Sequence, residues 1–67
     1  MTPDAKRLLS WLQSRADRSG RGTVLLSDAD KLCGGSGDKR LAECENAKEL
    51  FEVSVRGGVV SYRVERD

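Results

Sequence analysis

The stretch from Leu50 to Glu65, LFEVSVRGGVVSYRVE, constrains the fold more than any other part of the chain. Two runs rich in Val and aromatic residues alternate apolar with polar on either side of Gly57-Gly58, the pattern of a β-hairpin closed by a two-residue turn. With the glycines at the turn, Arg56 faces Val59, Val55 faces Val60, Val53 faces Tyr62 and Phe51 faces Val64. This register puts Phe51, Val53, Val55, Val60, Tyr62 and Val64 on one face. Leu50, Glu52, Ser54, Arg56, Val59, Ser61, Arg63 and Glu65 fall on the other. A slip of one residue would invert both faces, so the pattern specifies its own register. An isolated hairpin is marginal in water, and the residues before it must cover its apolar side.

Those residues carry helical punctuation. Thr2 suits an N-cap, Pro3 the first helical position and Asp4 the positive end of the dipole, while Ala5, Leu8, Leu9, Leu12 and Ala16 form an apolar stripe. The pattern predicts a first helix ending near Ser19-Gly20, with Arg15 and Arg18 in its last turn. Gly22 to Ser27 reads as a short strand with Val24 and Leu26 on one side. Ser27 then caps a brief second helix, with Asp30 completing a weak capping box, before Gly34-Gly35. A third helix is predicted from about Asp38 to Ala47, capped by Ser36 or Asp38, with Leu41, Cys44 and Ala47 on one side and its exit within Asn46 to Glu49. Arg66 and Asp67 trail off after the hairpin. A short strand between helices needs a partner, and the hairpin edge supplies one. The expected fold is therefore α+β, with three helices and a three-stranded antiparallel sheet in the order α-β-α-α-β-β.

Sixty-seven residues make one domain, 1–67, near the lower size limit for a self-sufficient core. Because it starts at a helix cap and stops just after a strand, it reads as a fragment of a longer protein. Charged residues make up 34% and apolar ones 37%, with periodic Leu and Val in every segment, which excludes a disordered chain. The net charge is only +1, so any anionic partner must be sought in local clusters. Cys33 and Cys44, with no His in the chain, are too few for a structural zinc site and read as small buried hydrophobes; no cofactor is expected. No apolar run is long enough to span a membrane, and the reading is of an intracellular, monomeric domain in cytoplasm or nucleus.

Gly22-x-Val24-x-Leu26-Ser27 leading into a short helix, and Leu50-Phe51-Glu52-Val53 leading into a Gly-Gly wing closed by Tyr62-Arg63-Val64, give a resemblance to the winged helix over nearly the whole chain. Within that superfamily the chain looks most like the compact winged helices of RNA-regulatory proteins, such as the LOTUS domain. The N-terminal domains of antiviral CCCH zinc-finger proteins and of sosondowah ankyrin-repeat proteins have a similar ending. The resemblance implies a binding module, for nucleic acid or for protein.

The charges divide those options. In DNA-binding relatives of this layout the recognition helix enters the major groove. Its counterpart, Asp38 to Glu49, has three basic and four acidic side chains, which disfavours duplex DNA, although Lys39 and Arg40 stand at its start. Gly34-Gly35-Ser36-Gly37 resembles a phosphate-cradling loop only in composition: no Gly-Lys-Ser/Thr follows, and Asp38 would repel an anion. Met1 to Arg21 carries five basic against two acidic residues, with Arg7, Trp11, Arg15 and Arg18 at helical spacing. Arginines around an aromatic suit single-stranded nucleic acid, through phosphate neutralisation and base stacking. They equally suit a Trp that closes the edge of a small core under Arg stems. Arg56 at the wing tip is a further candidate contact, whereas Arg63, opposite Glu52, is expected in a cross-strand pair. The expected function is thus non-catalytic binding of RNA or single-stranded nucleic acid through Arg7, Trp11, Arg15, Arg18, Lys39, Arg40 and Arg56. The alternative is docking of a basic protein on acidic helices two and three, at Glu43, Glu45 and Glu49. With no His and no base beside either Cys, no catalytic residue is assigned.

Overall fold

A computed structural model describes residues 1–65; Arg66 and Asp67 lie outside the described residues. The elements are α1 (Pro3–Arg15), β1 (Arg21–Leu25), α2 (Leu26–Leu32), α3 (Gly37–Asn46), β2 (Phe51–Arg56) and β3 (Val59–Arg63). The strands form one antiparallel sheet in the order β1-β3-β2. This is the α+β arrangement expected from the sequence, in a winged-helix-like layout.

α1 begins as its residues dictate: the Thr2 hydroxyl accepts from the Ala5 amide at 3.3 Å, Pro3 sits in the first turn, and Ala5, Leu8, Leu9 and Leu12 are buried. It ends at Arg15, a turn short of Ser19-Gly20. Ala16 turns extended, with ψ 148°, because Asp17 offers the chain a competing local structure. Its Oδ1 accepts from the Ser19 amide at 2.8 Å, the Ser19 hydroxyl at 2.6 Å and the Arg21 amide at 3.1 Å. Arg18 therefore lies in this turn and not on the helix.

The caps of α2 and α3 come from tertiary neighbours. Ser27 does not cap α2, which starts at Leu26; the Leu26 amide instead donates to Gly58 O at 2.8 Å, continuing the β1–β3 ladder. Neither Ser36 nor Asp38 caps α3 with a side chain; Asp30 Oδ1, from α2, accepts from the Gly37 amide at 2.9 Å. At the far end of α3, Lys48 has φ 62°, its amide bonds Glu45 O and that of Glu49 bonds Cys44 O, a Schellman closure with Lys where Gly is usual. Leu41 and Cys44 are buried, but Ala47, at the cap, is exposed.

The hairpin keeps its expected register only near the turn. Gly57 and Gly58 have φ 56° and 77°, which the two-residue turn requires, and Arg56 pairs Val59 as Val55 pairs Val60. Further out, Phe51 pairs Arg63 and not Val64, because Glu52 and Val53 together oppose Tyr62 in a bulge. Glu52 takes φ 55° there. Beyond the bulge the faces swap: Leu50, expected outside, is 1% exposed, and Phe51 is half-buried; Val55 keeps its pairing with Val60 and is 45% exposed because β2 is the sheet edge.

The core joins the α1 stripe to Val24, Ala29, Leu41, Leu50, Val60, Tyr62 and Val64, with Cys33 and Cys44 among them as small buried thiols. Tyr62 crosses this core and donates its hydroxyl to Leu12 O at 2.6 Å. Gly22 makes the room: a Cβ there would stand 3.0 Å from Tyr62 Cε1 and nearer still to the phenol oxygen.

Candidate nucleic-acid interface

α1 carries Arg7, Trp11 and Arg15 at successive turns of one side, and the structure gives each a different environment. Trp11 is half-buried against the core, and the Arg15 guanidinium lies 5.7 Å from its ring centroid. One part of the indole thus packs on the core and the ring has a cation beside it. Arg7 is turned the other way, 3.6 Å from the Asp4 carboxylate and 3.5 Å from Leu32 O at the end of α2.

An open groove of about 210 Å³ lies beside Trp11 and Arg15, completed by Thr23, Val24, Leu25 and Asp28. Among the described residues β1 has no strand on this side. Ladder bonds join Gly20 to Val64 and Leu26 to Gly58, so by alternation the odd-numbered residues of β1 turn their amides and carbonyls away from β3. The Asp17 turn occupies both such groups of Arg21, through Asp17 Oδ1 and the Asp17 amide. Thr23 is left facing the groove with an open main-chain edge.

The outer face of the sheet is ordered in rows by its pairing. One row runs Arg56, Val59, Leu25; the next Ser54, Ser61, Thr23; the last Phe51, Arg63, Arg21. The bulged Glu52 reaches the last row and pairs with both of its arginines, at 3.2 Å from Arg63 Nε and 3.5 Å from Arg21 Nη2. Arg63 also lies 4.9 Å from the Phe51 centroid. The Arg63–Glu52 pair was legible from the hairpin; Arg21 was not, because only the β1–β3 pairing brings it there.

The remaining candidates do not converge on Trp11. Arg56 is exposed at the hairpin tip, in the row that ends at Leu25. Arg18 is exposed in the Asp17 turn. Lys39 is exposed on α3, but Arg40 is taken up internally: its Nη1 lies 3.3 Å from the Thr2 hydroxyl and 3.4 Å from Glu43. This engagement follows from α3 packing beside the start of α1. Glu43 is similarly engaged. It accepts from the Thr2 amide and hydroxyl, and those bonds hold its carboxyl below the usual range. Of the proposed docking carboxylates, Glu45 and Glu49 are exposed while Glu43 serves the fold.

Burial pushes the thiols of Cys33 and Cys44 up, that of Cys44 to about 11, and the Cys44 thiol points at Ala5 O, 3.5 Å away. Among the described residues no group of His, Cys, Asp and Glu could hold a metal ion, and no helix is long and apolar enough to cross a membrane. In comparisons with family models, curated proteins and solved structures, the chain matched none.

Proposed function

We propose that this chain is a non-catalytic module that binds single-stranded nucleic acid, RNA foremost, along the groove between α1 and the open edge of β1. One observation carries the reading: a half-buried Trp11 with an exposed cation, Arg15, beside its ring at the wall of an open groove. A base stacked on the indole leaves Arg15 to pair with the adjoining phosphate, and every base has a face to offer. Arg18 and Arg56 are exposed but do not line the groove, and among the described residues Asp28 is the one carboxylate that does. Kinship with LOTUS-like winged helices belongs to the same proposal and accords with the layout. The acidic balance of α3 and the internal engagement of Arg40 favour a single strand over duplex DNA.

The test is a titration with single-stranded RNA and with duplex DNA at two salt concentrations, followed by amide shifts and indole fluorescence. Single-stranded RNA should quench Trp11 and shift residues 11 to 25 in a salt-sensitive way. Trp11→Leu, which keeps apolar cover but offers no ring, should weaken binding about tenfold, the loss of roughly 1.4 kcal/mol of stacking. No salt-sensitive shift along α1 and β1 would overturn the proposal.

A further inference from the structure

A second open cleft, of about 270 Å³, lies on the outer face of the sheet, lined by Asp17, Arg21, Thr23, Glu52 and Ser61 among others. It adjoins the Trp11 groove, because Thr23 lines both. Two guanidinium groups, Arg21 and Arg63, share a single carboxylate here, so each keeps donors that Glu52 does not occupy. From this geometry we infer that Arg21 and Arg63 form a phosphate subsite for the strand that stacks on Trp11, and that Glu52 occupies it until the phosphate arrives. The inference rests on the Trp11 reading and adds to it the path of the sugar-phosphate backbone, from Arg15 across Thr23 and onto the sheet.

The two carboxylates of the cleft differ in a way that decides which one yields. Asp17 is fixed: its Oδ1 holds three donors of its own turn, and those bonds lower its pKa. Among the described residues Glu52 is paired with the two arginines, and its side chain is 55% exposed. Exposed ion pairs of this kind are weak and screened by salt, so a phosphate can replace Glu52 without breaking the fold. A phosphate also fits the guanidinium fork as well as a carboxylate does, and brings more acceptor oxygens. The hydroxyls of Thr23 and Ser61, a cross-strand pair between the two arms of the surface, are placed to donate to the same backbone. Arg63 does not line the cleft and reaches it only through Glu52; when Glu52 swings out, both arginines lose the carboxylate they share.

Glu52→Gln tests this directly, since the amide keeps the size of the side chain and removes the charge. A short mixed-sequence single-stranded RNA should bind the variant several-fold more tightly than the wild type at low salt. The amides of Arg21, Thr23, Ser61 and Arg63 should shift in both proteins. Both proteins neutralise the same phosphate, so Glu52→Gln should raise affinity with little change in salt slope. Arg21→Gln removes one cation, so its affinity should be lower at low salt and should fall about 2.6-fold less than the wild type's between roughly 50 and 200 mM salt. If RNA perturbs Trp11 while the sheet amides stay still and Glu52→Gln binds like the wild type, the subsite is wrong and the Trp11 site stands. If neither protein binds RNA, both readings fall.

Discussion

Tyr62→Phe removes one oxygen from the centre of the molecule, and the structure says what that oxygen holds. α1 stops at Arg15, so the carbonyls of its last turn lack helical partners, and that of Leu12 faces a core in which Leu12 is 0% exposed. The Tyr62 hydroxyl, at 2.6 Å, is the donor that reaches it. Phenylalanine fills the same space and leaves the carbonyl dry and unpaired. Stranding a buried acceptor costs about 1–3 kcal/mol, more than the net worth of one neutral hydrogen bond. For a chain of this size total stability is on the order of 3–10 kcal/mol, and each kcal/mol moves the melting midpoint by about 4–8 °C. Tyr62→Phe should therefore lower the unfolding free energy by about 1–3 kcal/mol, read as a lower urea midpoint at unchanged slope and followed by Trp11 fluorescence. Amide exchange in the last turn of α1 should quicken in parallel. An unchanged midpoint, with unchanged exchange at the end of α1, would refute the claim that β3 closes this helix.

Lys48 holds a left-handed conformation, φ 62°, in the closure of α3. Lys48→Gly should raise stability by about 0.5–1 kcal/mol by relieving its Cβ, measured by urea unfolding; a loss would mean that the lysine stem contributes more than its backbone costs. Cys44 is a pH probe: burial raises its folded pKa to about 11 from an unperturbed 9.0. Above pH 9 the unfolded chain releases this proton and the native one does not, so the contribution is whole below 9 and declines as pH rises towards 11. The total is about 2–3 kcal/mol. Alkaline unfolding of Cys44→Ala should show a shallower decline over that window, and the same decline as the wild type would refute the assignment.

Much of the fold was legible because local chemistry and tertiary packing agree. The α1 stripe, the Thr2 cap, the Gly57-Gly58 turn and the α-β-α-α-β-β order follow from periodicities of 3.6 and 2 and from residues with few conformational options. The pairing of Arg63 with Glu52 was legible too, as neighbours across a hairpin. Trp11 and Arg15 were placed together by their spacing alone, one turn apart on a helix.

What the sequence determined by itself, then, is the set of elements and the contacts within them. What the tertiary structure decided is everything that depends on a partner distant in the chain. β2 bulges at Glu52, which sends Leu50 inward against its alternation, and β2 lies at the sheet edge, which leaves Val55 exposed. α2 and α3 take their first-turn partners from Gly58 and Asp30, and Arg40 and Glu43 turn to Thr2. Arg21 meets Glu52 only because β1 pairs with β3. The physical reason is common to all: a local pattern sets which conformations are cheap, but a buried amide, carbonyl or charge must find its partner wherever the packed chain supplies one.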